Sequence, residues 1–117
     1  MDTSQDCIDQ ILKSDSEYGK IRNHYCETFS LTKTIKLYVD NLSQLDFNDC
    51  PDEFTQAFRT HINAWEGMVE ITDKYPSLRG EMHTLFDQIE SGPDSLLFKP
   101  ALNLIWSTWE AVEKATN

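Results

Sequence analysis

The sequence predicts an all-α fold, an antiparallel four-helix bundle with a short extra helix before it. Three observations predict it. Apolar residues recur at three- and four-residue steps through most of the 117 residues. No segment alternates apolar and polar residues with β-branched enrichment over the length of a strand. The four glycines and four prolines are few, and Pro51, Pro76, Gly92, Pro93 and Pro100 fall where helices should start or stop.

The first predicted helix is the longest. Tyr18, Ile21, Tyr25, Phe29, Ile35, Tyr38, Val39, Leu42 and Leu45 give its stripe. Ser14 or Ser16 would cap its start, with Asp15 and Glu17 at the positive end of the dipole. Thr28, Ser30, Thr32 and Thr34 are mediocre helix formers, so a bend is expected near Ser30. A short helix over Cys7 to Leu12 would precede it, with residues 1–15 loosely ordered. The second helix starts at Asp49-Cys50-Pro51-Asp52-Glu53, where proline needs no N–H and acids meet the helix dipole. Phe54, Ala57, Phe58, His61, Ile62, Trp65, Met68, Val69 and Thr72 follow as one stripe, ending near Tyr75-Pro76. The third runs from Ser77, its expected cap, to Glu90. The fourth runs from Lys99 or Pro100 to Ala115, with Trp106 and Trp109 both able to face the core. Leu96-Leu97-Phe98 either packs across the end of the bundle or lies exposed as a docking point.

The length fits a single domain, residues 1–117, able to bury roughly two-thirds of its unfolded surface. Twenty acids against ten bases leave a net charge of −10. That disfavours nucleic acid and anionic membranes, which need a positive patch. No apolar run is long enough to insert into a bilayer. Asp40 to Glu53 is acidic without a lysine or arginine. Asp46, Asp49, Asp52 and Glu53 are therefore the candidate contacts for a partner with a basic surface.

Catalytic and metal motifs are missing. Paired Glu-x-x-His segments, His-Glu-x-x-His, Gly-x-Ser-x-Gly and phosphate-binding glycine loops do not occur. The expectation is a non-enzyme with no cofactor and no metal. Cys7, Cys26 and Cys50 are odd in number, contain no Cys-x-x-Cys and have spacings of 19 and 24, which fit no zinc knuckle. They read as reduced, partly buried thiols of a cytosolic protein. One disulfide with one free thiol is the alternative for an exported protein. The acidic N-terminus resembles no signal peptide, so the cytoplasm is expected, or the periplasm or exterior if a leader preceded Met1. His61 lies on an apolar face and needs a hydrogen-bond partner there. With Trp65 and Trp109 it is the candidate lining of a small-ligand pocket.

Residues Cys50 to Trp65 resemble a pattern, Cys-Pro-x-x-Phe-x-x-Ala-aromatic-x-x-His-x-x-Ala-Trp, of small bacterial all-α proteins of unknown function. A looser likeness covers Ile105 to Glu113. The resemblance implies a bacterial source, a helical fold and, for many such proteins, export or a lipid anchor; it implies no activity. Two functions follow as expectations. The first is a non-enzymatic acidic protein-binding module (inhibitor, immunity-type or adaptor) that occludes a basic partner surface, with self-association compatible. The second is a small-ligand or metal sensor using the pocket near His61, Trp65 and Trp109.

Overall fold

A computed structural model describes residues 3–116. Six helical segments make up the fold: α1 (Thr3–Tyr25), α2 (Leu31–Ser43), α3 (Asp52–Gly67), α4 (Val69–Thr72), α5 (Met82–Glu90) and α6 (Ser95–Lys114). No strand occurs among the described residues.

The first predicted helix divides differently from expectation. The short helix over Cys7 to Leu12 and the region after Ser16 form one helix, α1, so Ser14 and Ser16 lie inside it and cap nothing. The expected bend near Ser30 is a complete break. Tight turns close at Glu27 N–H to His24 C=O (3.0 Å) and Phe29 N–H to Tyr25 C=O (3.0 Å). Ser30 then takes an extended conformation, and its hydroxyl accepts from Lys33 N–H (3.1 Å). A serine that competes with the helix interior serves well as its N-cap. Tyr25 stacks on Phe29 across the corner at 4.3 Å.

The second predicted helix becomes α3 and the single turn α4. Pro51 is the residue flanking α3, and Asp52 and Glu53 occupy its first turn. Gly67, the poorest helix former of the predicted second helix, ends α3. The third helix starts four residues later than expected. Glu81 replaces Ser77 as its cap, accepting from His83 N–H at 2.8 Å. Gly80 just before it has φ +154°, and its N–H reaches back to Cys26 C=O (3.1 Å). A Cβ there would sit 3.2 Å from the Leu85 side chain, so the turn needs glycine twice over. The fourth helix starts earlier, at Ser95, with Pro100 inside it. Pro100 removes only the bond to Leu96 C=O, and Leu96 is 89% exposed, so water can satisfy that carbonyl. Phe98 is fully buried, whereas Leu96 and Leu97 lie open.

The principal helix pairings close a ring: α1 on α2, α2 on α3, α3 on α6, α6 on α5, and α5 back on α1. The α3–α6 pair is the largest. It runs antiparallel, since Phe58 meets Trp109 and His61 meets Thr108. Phe54, Phe58, Met68, Leu85, Phe98 and Val112 fill the core. Aromatic pairs link the helices, with Phe47–Phe58 at 5.7 Å, Trp65–Phe86 at 6.2 Å and Phe86–Phe98 at 5.3 Å between ring centres.

Polar ties hold the ends. Thr32 Oγ1 donates to Asp73 Oδ1 (2.7 Å) and lies 2.8 Å from Thr72 Oγ1. Tyr75 O–H donates to Asp94 (2.6 Å), and Lys74 Nζ pairs with the other Asp94 oxygen at 3.1 Å. Those two donors hold the Asp94 carboxyl below its usual range. Cys7 and Cys50 form a disulfide that ties the start of α1 to the α2–α3 connection. The expected three reduced thiols are thus replaced by one disulfide and one free thiol. Cys26 is that thiol, fully buried, and burial pushes its pKa up. No helix among the described residues is long and apolar enough to cross a membrane.

Candidate functional site

The residues of the expected pocket do meet. His61 and Trp65 from α3 and Trp109 from α6 line one cleft of about 310 Å³. His61 and Trp65, one turn apart, share a face of α3, and the packing of α6 on that helix sets Trp109 beside His61. The ring centre of His61 is 5.2 Å from that of Trp109. Met82 and Phe86 of α5 and Leu102 and Ile105 of α6 supply the apolar wall. Trp106 is 60% exposed and lines the cleft from α6; it does not share the core with Trp109 as expected. All three tryptophans of the chain therefore border this cleft.

His61 is 3% exposed, and its Nδ1 lies 2.9 Å from Thr108 Oγ1. Thr108 O–H donates to a carbonyl of its own helix, Leu104 C=O at 2.7 Å or Ile105 C=O at 3.1 Å. Its oxygen therefore accepts from His61, which fixes the proton on Nδ1 and leaves Nε2 as an acceptor. Burial first, and the nearby Arg22 guanidinium second, push the imidazole from its usual 6.5 down to about 4. The ring is neutral at pH 7.

This sets a pH dependence. The unfolded chain protonates His61 near pH 6.5 and the folded one near 4, so stability falls as pH drops through that window. The expected loss is on the order of 3 kcal/mol once both forms are protonated. Asp15 opposes this, because burial raises its carboxyl pKa and its ionisation disfavours the fold. Urea unfolding at pH 7 and pH 4.5, in wild type and His61→Leu, separates the two. The leucine variant, in which Thr108 keeps its carbonyl bond, should lose most of the acid sensitivity. An unchanged slope would contradict the buried neutral histidine.

Composition and periodicity missed Arg22. Its guanidinium carbon lies 4.5 Å from the centre of the Tyr38 ring and 4.3 Å from that of Trp65. Its Nε and Nη2 both donate to Asn23 Oδ1, at 3.2 and 2.9 Å. No carboxylate among the described residues lies within 4.0 Å of it. Tyr38 donates its hydroxyl to Asp15, and burial beside that carboxylate pushes the phenol pKa well up. Asp15, Tyr38 and Arg22 all line the cleft, as do His83 and Asp87 at its α5 side. The readable signal was the stripe Ile8, Ile11, Asp15, Tyr18, Arg22, Cys26, which puts two charges in line with core positions of α1.

The four acidic candidates lie elsewhere. Asp46 and Asp49 sit in the α2–α3 connection and Asp52 and Glu53 in the first turn of α3, all exposed. Asp46 accepts from Asn48 N–H (2.9 Å). Asp52 and Glu53 meet the positive end of α3. Among the described residues, no group of three or more His, Cys, Asp or Glu gathers as a metal site. His24 pairs with Glu27 at 3.3 Å, and His83 with Glu81 at 2.7 Å.

No family model, no curated protein and no solved structure matches the chain. Fold and site describe the class by themselves: a small all-helical protein with an aromatic-walled cleft bordered by an arginine that makes no ion pair among the described residues, though its charge is felt by Asp15.

Proposed function

We propose that the chain is a non-enzymatic binding module whose working site is the cleft between α1, α3, α5 and α6, and that it takes a small organic ligand there. One observation carries the reading. Arg22 is held over two aromatic rings at a concave, largely apolar surface, without a carboxylate partner. Placing a guanidinium so costs side-chain entropy and part of its hydration, which a ligand group can repay. The scaffold reads as an antiparallel bundle in which the α3–α6 pair is the rigid backing and α1 and α5 bring the polar groups. The disulfide supports work in an oxidising compartment, in keeping with the exported character that the resemblance implies.

Because every tryptophan borders the cleft, intrinsic fluorescence reports its occupancy directly. Titration with a panel of small aromatic and aliphatic carboxylates, amines and amides should give a saturable change with at least one member. Leu102→Arg, at a half-buried position of the cleft wall, should abolish that change while leaving the circular dichroism spectrum intact. A panel without any saturable response would remove the reading.

A second reading, the acidic protein-binding module, draws on a different feature. Leu96, Leu97 and Leu104 are exposed along α6, and Asp46, Asp49, Asp52 and Glu53 are exposed at the opposite end of the α3–α6 pair. An apolar stripe and an acidic cap both suit a macromolecular partner. Neutralising the four acids would weaken capture of a basic partner in a salt-dependent way if this surface is used. Their local duties, Asp46 in the turn at Asn48 and Asp52 and Glu53 at the helix dipole, make it the weaker of the two.

A further inference from the structure

The ligand class follows from which groups share the cleft, and it rests on the cleft reading above. Arg22 offers N–H donors beyond the two taken by Asn23. A carboxylate is their natural acceptor, since a planar fork meets two oxygens at once. Yet a simple carboxylate would also meet Asp15 and Asp87, which line the same cleft, in a chain of net charge −10. The Asp87 carboxylate has no hydrogen-bond or ion-pair partner among the described residues. Asp15 keeps acceptor capacity beyond the oxygen that takes the Tyr38 hydroxyl.

A simple amine has the mirror problem. It would suit the two acids and oppose Arg22. A molecule with both charges satisfies all three groups and crosses the protein's field without net cost. His61 also lines the cleft as a neutral ring, held through Nδ1 by Thr108. The remaining wall, Met82, Phe86, Leu102, Ile105 and Trp109, is apolar. A volume of about 310 Å³ lies at the small end of ligand sites and suits a molecule of amino-acid size.

We infer that the cleft takes a free α-amino acid with a large apolar or aromatic side chain, its carboxylate on Arg22, its ammonium toward Asp15 and Asp87, and its side chain against Met82, Phe86 and Trp109. The reading assigns Arg22 and Asp87 as the residues that select for a zwitterion.

The test compares phenylalanine and leucine with 3-phenylpropionate, which lacks the ammonium, and with phenethylamine, which lacks the carboxylate. Tryptophan fluorescence and calorimetry read binding to the full chain. Phenylalanine should bind about tenfold or more tightly than either truncated analogue, since each loses a charge-assisted contact. Asp87→Asn, at an exposed side chain without partners, should fold normally. It should weaken phenylalanine several-fold and leave 3-phenylpropionate unchanged or improved. Arg22→Gln should erase the preference for phenylalanine over phenethylamine. Equal binding of either analogue, or saturation by another small molecule while phenylalanine stays silent, would overturn the amino-acid assignment and leave the cleft reading standing. Silence of every probe would overturn both.

Discussion

Phe58→Ala will cost about 3–5 kcal/mol of stability, the largest loss expected from a single truncation here. Phe58 is fully buried, and its ring centre lies 5.7, 5.8, 6.1 and 6.4 Å from those of Phe47, Phe54, His61 and Trp109. Removing it leaves a cavity lined by rings that cannot collapse into the space without leaving their rotamers. A domain of this size has about 5–15 kcal/mol in hand, so the variant will fold marginally, with Tm lower by roughly 10–20 °C. Phe58→Leu, which keeps most of the volume, should cost less than half as much. Trp106→Ala is the contrast. That side chain is 60% exposed, and its loss should stay within about 0.5 kcal/mol. Chemical denaturation of the three variants checks the order. A Phe58→Ala loss below about 1 kcal/mol would mean that the α3–α6 seam is not the centre of the core.

The cost of Phe58 also shows why helices were easy to read here and their ends were not. Phe54, Phe58, Ile62, Trp65 and Met68 repeat on one side because a helix must bury one stripe, and that repeat is written in the sequence. The boundaries depend on competition that periodicity does not record. Ser30 could bend a helix or cap one, and the apolar stripe continues across it either way. The Ser30 hydroxyl settles the matter by accepting from Lys33 N–H. Ser77 was a reasonable cap by residue type, but Gly80 turns the chain after it and hands the role to Glu81. Pro100 suggested a start because proline suits a first turn, whereas α6 tolerates it one turn further in.

The site divides in the same way. His61, Trp65 and Trp109 were legible because a histidine on an apolar face needs an explanation, Trp65 lies one turn beyond it on the same stripe, and Trp109 falls on the apolar face of the next long helix. Their meeting depended only on adjacent helices. Arg22 required a contact between helices distant in sequence, since Tyr38 lies on α2 and Trp65 on α3. The one available hint was a charge lying in register with Ile8 and Ile11. The Cys7–Cys50 pairing was illegible for a similar reason. Three cysteines allow three pairings, and only the return of the α2–α3 connection to the start of α1 selects one.

Reduction of that disulfide should lower stability by about 3–4 kcal/mol and Tm by roughly 10 °C or more. The bond joins residues 43 apart, and opening so long a loop restores entropy to the unfolded chain. Its position sharpens the expectation. Ile8 and Ile11, next to Cys7, are almost fully buried, so the bond pins the first turns of α1 onto the core. Arg22 lies fifteen residues further along the same helix, about 22 Å away at 1.5 Å per residue. Loss of the bond should therefore loosen the start of α1 without dismantling the cleft. The Cys7→Ser/Cys50→Ser variant should melt at the lower temperature, respond no further to reductant, and still bind whatever the intact protein binds when assayed well below its Tm. Thiol alkylation gives the chemical count. The oxidised native protein should expose no reactive thiol, because Cys26 is buried with its proton held toward the Arg22 and Asn23 carbonyls at 3.6 Å. Unfolding should release one. Three thiols on unfolding without reductant, or a Tm indifferent to reductant, would contradict the bond; ligand binding lost together with it would show that the two halves of α1 move as one unit.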